Sequence, residues 1–158
     1  MTGRRPVIGV MGASTCDAAT AELARQVGRG IAARGAALLC GGRGGVMEAA
    51  ARGAREAGGL VVGVLPGRSE AESPPNPYVE VALFTGLGEG RNYINACASD
   101  VLIAIGGGWG TLSEIALARK LGRPVVVLGR VELGSLAAEL EAATTAEEAV
   151  ARAFAHLA

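Results

Sequence analysis

The chain has 158 residues, with 15 Lys+Arg against 15 Asp+Glu, and 25 of its residues are glycine, roughly twice the ordinary share of about 7%. The even charge balance argues against a nucleic-acid or polyanion partner, and five aromatic residues (Tyr78, Phe84, Tyr93, Trp109, Phe154) are too few for a base-stacking platform. The glycines follow no G-X-Y period and half the chain is hydrophobic, so collagen and disorder both fail; what remains is backbone that something approaches closely.

Short apolar runs alternate with alanine-rich helical patterns. Pro6 to Val10 reads as a first strand, leaving through Gly12-Ala13-Ser14-Thr15. Asp17 to Arg34 carries Leu23, Val27 and Ile31 at i, i+4 and i+8, one face of a long helix. Ala36 to Cys40 is a second strand, Gly41 to Gly45 its exit turn, and Val46 to Ala57 the next helix. Leu60 to Leu65 and Tyr78 to Phe84 read as the third and fourth strands, the latter more mixed, and Gly90 to Ala98 as a short helix. Val101 to Ile105 is unbroken Val, Leu, Ala and Ile, as in a parallel strand covered on both faces. Gly106 to Gly110 turns into a helix over Thr111 to Leu121, and Pro124 to Leu128 is the sixth strand. The tail reads as helical, with Thr145-x-x-Glu148 a capping box opening the last helix.

This order predicts an α/β chain: a Rossmann-like three-layer sandwich with a mainly parallel sheet of about six or seven strands, forming one domain over residues 1–158. The proline-rich stretch Arg68 to Tyr78 reads either as a flap beside the ligand site or as a plain surface loop. Cys16, Cys40 and Cys97 share no ligand spacing and read as reduced, small hydrophobes, which places the protein in the cytoplasm. No apolar run approaches membrane-spanning length, and the lone His156 near the end leaves no histidine metal cluster or His–Ser relay within one chain. No metal site is expected.

In a parallel α/β sheet the strand C-termini share one edge, where ligands bind. Three glycine-rich turns fall there, each opening a helix and so offering free backbone N–H groups and the positive end of a dipole. A phosphate-bearing ligand is the favoured reading, held by Gly12, Ser14, Thr15, Gly42, Arg43, Gly44, Gly45, Gly107, Gly108, Gly110 and Thr111. The dinucleotide fingerprint is absent: the first turn lacks G-x-G-x-x-G and the second strand runs into Cys40-Gly41-Gly42 without an acidic residue. No P-loop pattern occurs either. Thr111-x-x-Glu114 has two readings, a capping box or a catalytic carboxylate one turn into the helix. Arg91 opens its helix against the dipole, which calls for an anionic partner. One carboxylate and one guanidinium beside a phosphate cradle suit cleavage at a sugar carbon, with Glu114 steadying an oxocarbenium or activating water.

At Gly106 to Glu114, and at Gly41-Gly42-x-Gly44-Gly45-Val46-Met47, the sequence resembles the "lonely guy" superfamily of Rossmann-like proteins, once labelled lysine decarboxylase-like. Its signature P-G-G-x-G-T-x-x-E is matched apart from glycine at the first position. The superfamily includes nucleoside 5′-monophosphate phosphoribohydrolases that release a base and ribose 5-phosphate. The resemblance implies Glu114 and Arg91 as the catalytic pair and Gly107, Gly108, Gly110 and Thr111 as the phosphate cradle. Where the family has lysine after its arginine, this chain has Asn92, counted with the ligand-binding residues. Arg91-Asn92 and the Gly106 start look closer to a bacterial branch similar to molybdenum-cofactor carriers, which hold the cofactor's phosphate and do no chemistry. The expected ligand is therefore AMP-like or a phosphorylated pterin, with no cofactor required for chemistry and molybdenum cofactor as an alternative bound ligand. A homodimer or homotetramer is expected by the same resemblance. The decarboxylase label fails on chemistry: pyridoxal enzymes need a Schiff-base lysine, and the only lysine, Lys120, lies late in a helix.

Overall fold

Charge-free runs of Val, Leu, Ile and Ala build the centre of the molecule because a strand buried on both faces tolerates little else. The computed structural model describes residues 3–158. Its strands are β1 (Val7–Gly12), β2 (Ala37–Cys40), β3 (Val61–Leu65), β4 (Val81–Phe84), β5 (Val101–Ile105), β6 (Val125–Leu128) and β7 (Glu141–Ala143). Its helices are α1 (Ala18–Ala33), α2 (Val46–Glu56), α3 (Arg91–Ala98), α4 (Trp109–Lys120) and α5 (Ala146–Ala155), with short 3-10 turns at Gly88–Gly90 and Gly134–Glu139. All seven strands form one sheet in the order β4-β3-β2-β1-β5-β6-β7, and every neighbouring pair is parallel. This is the expected Rossmann-like three-layer α/β fold.

The two-residue period of a strand divides the core into two layers. Ile8, Val10, Leu38 and Ile103 pack with Val27 and Ile31 of α1, Ala50 of α2 and Val150 of α5. Met11, Leu39, Val64 and Leu102 pack on the other face with Ala96 of α3 and Ile115 and Ala118 of α4. The chain runs outward from β1 to β4, then returns so that β5 pairs with the other side of β1. That reversal opens a crevice between the exits of β1 and β5, where the register sets Gly12 beside Ile105.

Beyond one-residue shifts, four boundaries differ from expectation; one is β1, which runs on to Gly12 where Val10 was its expected end. β4 begins at Val81 rather than Tyr78, because Tyr78 and Val79 are held in a turn whose backbone N–H groups donate to the side chain and carbonyl of Asn76. The tail is not helical throughout: the 3-10 turn and β7 precede α5, and Glu-Ala-Ala becomes a strand by pairing with β6, not by propensity. α4 starts at Trp109, two residues before Thr111, with Gly108 as its side-chain-free cap. Thr111-x-x-Glu114 is therefore not a capping box. At α5 the box does form: Thr145 accepts from the Glu148 N–H at 3.1 Å, while the Glu148 carboxylate accepts from the N–H of Thr144 at 2.8 Å.

Candidate functional site

A cavity of about 300 Å³ lies in the crevice at the sheet's switch point. It is walled by Gly12, Ala13 and Ser14 from the β1 exit, by Gly108, Gly110, Thr111 and Glu114 from α4 and its approach, by Arg91 and Asn92 from α3, and by Met47 and Glu89. Eight residues named from the sequence meet here: Gly12, Ser14, Arg91, Asn92, Gly108, Gly110, Thr111 and Glu114. Thr15, Gly42, Arg43, Gly44, Gly45 and Gly107 stand outside its wall.

The second glycine turn has a structural reason for its composition. A Cβ on Gly45 would overlap the carbonyl oxygen of Ala13, one on Gly42 would press on the Leu65 side chain, and one on Gly41 would block the Arg91 guanidinium. Val46 N donates to Ala13 O at 3.0 Å, so this turn is locked onto the β1 exit. The proline-rich segment clasps it from outside, with Asn76 Nδ2 donating to Arg43 O at 2.9 Å and Asn76 N to Gly42 O at 2.8 Å. The third turn differs. Gly108 has no neighbour within 4 Å of an added Cβ, Gly110 has only Asn92 Nδ2 at 4.0 Å, and neither has a positive φ. Their bare backbone faces the cavity without any demand from the protein itself.

Glu114 is 9% exposed at the cavity floor. Burial pushes its carboxyl up to about 7; Arg91 pulls it back, Glu89 pushes it further up, and the nearby Asn95 amide pulls it down. A carboxyl titrating near neutrality can give or take a proton at working pH. Arg91 donates through Nη1 to the carbonyls of Gly41 and Val64, the latter at 2.7 Å, which fixes the guanidinium at the exits of β2 and β3. Burial lowers its proton affinity and Glu114 and Glu89 raise it. No ion pair within 4 Å joins Arg91 to Glu114, so the two act across a gap. Asn92 donates from Nδ2 to Ser113 Oγ at 3.0 Å, and Ser113 Oγ donates to Gly110 O at 2.6 Å, bracing α3 against the first turn of α4.

Among the described residues, the buried side-chain polar atoms without partners are Arg91 Nε, Asn95 Nδ2, Asn95 Oδ1 and Glu114 Oε2. All belong to this one region. Asn95 was not a candidate from sequence; it lies four residues after Arg91, so both project from the same face of α3, and it is fully buried. Its place one turn after Arg91 on the same face was the available signal. Glu89, in the 3-10 turn before α3, was also missed. Met11 is core, Tyr93 and Trp109 are exposed, and Met47 reaches the cavity. Lys120 ends α4, at the opposite end of the helix from the cavity.

A larger cleft, of about 400 Å³, lies between the first halves of α1 and α2 and includes Cys16, Arg25, Arg52 and Tyr78. Its arginines are engaged by Glu56, Arg25 Nε at 2.9 Å and Arg52 Nε at 3.0 Å, and no unpartnered buried group faces it. Cys16 is exposed rather than a small core hydrophobe, whereas Cys40 is buried, its thiol pushed up to about 11 by burial. Among the described residues no His, Cys, Asp and Glu side chains group as a metal site, and no helix is long and apolar enough to cross a membrane.

A wholly parallel sheet with its glycine-walled cavity at the switch point, over a buried Glu–Arg–Asn cluster, defines a Rossmann-like α/β protein of the superfamily that the glycine motifs resemble. The chain belongs to the SLOG cluster4 family, whose sequence pattern matches residues 5–155. It is similar in structure to the molybdenum cofactor binding protein of the phototrophic bacterium Rippkaea orientalis, at 40% identity and TM-score 0.92, covering 98% of this chain and 99% of that one. It is similar to the molybdenum cofactor carrier protein of Chlamydomonas reinhardtii at 42% identity and TM-score 0.89, with the same coverage. It is also 35% identical over 116 residues to the cytokinin riboside 5′-monophosphate phosphoribohydrolase of Mycobacterium tuberculosis, a match spanning 73% of this chain and 62% of that protein.

Proposed function

We propose that residues 1–158 act as one domain that binds a small phosphorylated ligand in the switch-point cavity and carries a phosphorylated pterin of the molybdenum-cofactor type. The observation behind this reading is the bare backbone of Gly108 and Gly110, which face the cavity with no steric or conformational reason to be glycine. Phosphate oxygens would take the free N–H groups at the start of α4, with the Ser14 and Thr111 hydroxyls beside them. Thr15, Arg43, Gly44 and Gly45 would then support the turn beneath Ser14 instead of touching the ligand. Whole-length similarity to two molybdenum-cofactor proteins supports the cargo.

A second reading is hydrolysis of a nucleoside 5′-monophosphate, favoured by one observation: a carboxyl titrating near neutrality stands in the same cavity as a fixed guanidinium. Glu114 would activate water or steady the ribosyl cation, and the base and ribose 5-phosphate would leave.

One experiment separates them. Calorimetry with molybdenum cofactor and with AMP is paired with chromatography for free base after incubation with AMP and N6-substituted AMPs. The carrier reading expects binding of the cofactor and no base. Base release that Glu114→Ala abolishes selects the hydrolase, and binding of neither probe sinks both. Gly110→Ala is expected to fold as well as the parent yet bind at least about tenfold more weakly, since its methyl would occupy the space of the ligand. By the family resemblance we also infer a homodimer or homotetramer, which sedimentation velocity tests.

A further inference from the structure

Trp109 is the only tryptophan of the chain, and it stands 87% exposed. It is the first residue of α4, flanked by Gly108 and Gly110, both of which wall the cavity. Trp109 itself does not line it. Consecutive Cα atoms are about 3.8 Å apart, so the indole is anchored on the cavity rim while its ring stands in solvent. Tryptophan is highly buried on average, and here the one indole of the chain stands exposed at the rim of the cavity. The neighbouring glycines carry no side chains to hold the ring where it is, and an added Cβ at Gly108 would meet only open space.

We propose that Trp109 is an aromatic clamp that folds over the cavity mouth and stacks on the planar heterocycle of the bound ligand. This rests on reading the cavity as the site of a small phosphorylated ligand, and adds to it the demand that the ligand carry a flat π-system. The division of labour follows from position. The start of α4 takes the phosphate, the Glu114 floor faces the middle of the ligand, and the indole covers the ring. Stacking needs a flat face and no particular hydrogen-bonding edge, so the clamp selects for a heterocycle without selecting among purines and pterins.

The test uses the full chain and three probes: AMP, a 6-alkylpterin phosphate, and ribose 5-phosphate, which has the phosphate and no ring. Because emission comes from a single tryptophan, acrylamide quenching on excitation at the indole band reads Trp109 alone. In the free protein it is expected to be freely quenched, and saturation with AMP is expected to shield it. Calorimetry on Trp109→Ala is expected to show about tenfold weaker binding of AMP or of the pterin phosphate, with ribose 5-phosphate changed less than about twofold. Trp109→Phe keeps a flat face and is expected to retain most of the affinity. Shielding of Trp109 already in the free protein overturns the clamp, because another surface then covers the ring. Ligand binding that leaves quenching unchanged also overturns it, as does equal weakening of all three probes in Trp109→Ala. If the parent protein binds none of the three, the clamp falls; if molybdenum cofactor does not bind either, the ligand reading falls with it.

Discussion

Glu114 carries the site's strongest electrostatic signature, and its consequence for stability has a definite sign. In the unfolded chain its carboxyl titrates near 4.5; in the fold, burial holds the proton up to about 7. Between those values the folded state binds more protons than the unfolded one, so stability falls as pH rises through the window and levels off above it. The full drop is about 3 kcal/mol. Glu114→Gln keeps the shape and removes the titration. Urea unfolding at about pH 5 and about pH 8.5 is expected to show the parent losing most of that amount between the two, the variant losing none of it, and the variant as the more stable protein at the higher pH. Equal slopes for the two would mean that the carboxyl is not held protonated by burial. At this same scale the sequence disclosed Glu114 and Arg91 by spacing and motif, but not Asn95. Spacing shows only that Asn95 follows Arg91 on one face of α3; that its amide is buried without a partner is decided by tertiary packing.

At the scale of elements, the alternation of strand and helix was readable because long apolar periodicity is the strongest signal a sequence carries. Two Thr-x-x-Glu runs with the spacing of a capping box came out differently. Thr145 caps α5, whereas Thr111 lies within the first turn of α4 because the helix begins at the glycines before it. Spacing alone cannot tell these apart. Helical glycines were equally silent. A Cβ on Gly28 of α1 would overlap the carbonyl oxygen of Ala50, and one on Gly53 of α2 that of Arg25, so the two helices meet backbone to backbone. Intrinsic propensity favours Gly28→Ala by up to about 1 kcal/mol. The overlap is with backbone, which cannot rotate away, and overpacking of this kind costs about 1–3 kcal/mol or more. The clash wins. Thermal unfolding of Gly28→Ala is expected to fall by about 5 °C, with Gly110→Ala, which meets open space, unchanged or slightly raised. A rise for Gly28→Ala would show that α1 and α2 do not pack this closely.

At the scale of the whole molecule, the glycine excess divides into three uses. Some glycines stop helices, such as Gly35, Gly58 and Gly122, each at positive φ. Others let backbone pack on backbone, as at Gly28, Gly45 and Gly53. Only Gly108 and Gly110 leave backbone bare toward the cavity with no demand from the protein, so composition pointed to close approach without saying how much of it is the protein approaching itself. The charge balance has a similar limit. Net neutrality argues against a polyanion partner, yet a single phosphate needs little net charge, and the cavity wall holds one arginine against two glutamates. Whatever holds a phosphate there is mainly oriented backbone N–H, whose partial charges act at hydrogen-bond range, inside the screening length of about 8–10 Å in physiological salt. Affinity for a phosphorylated ligand is therefore expected to fall less than about threefold when KCl is raised from about 50 to about 200 mM. A protein that neutralises about six to ten nucleic-acid phosphates loses about a thousandfold or more over the same range. Calorimetric titration at the two salt concentrations measures this directly. A loss of a hundredfold would place the phosphate on side-chain cations outside the cavity wall, such as Arg43, and not on the start of α4.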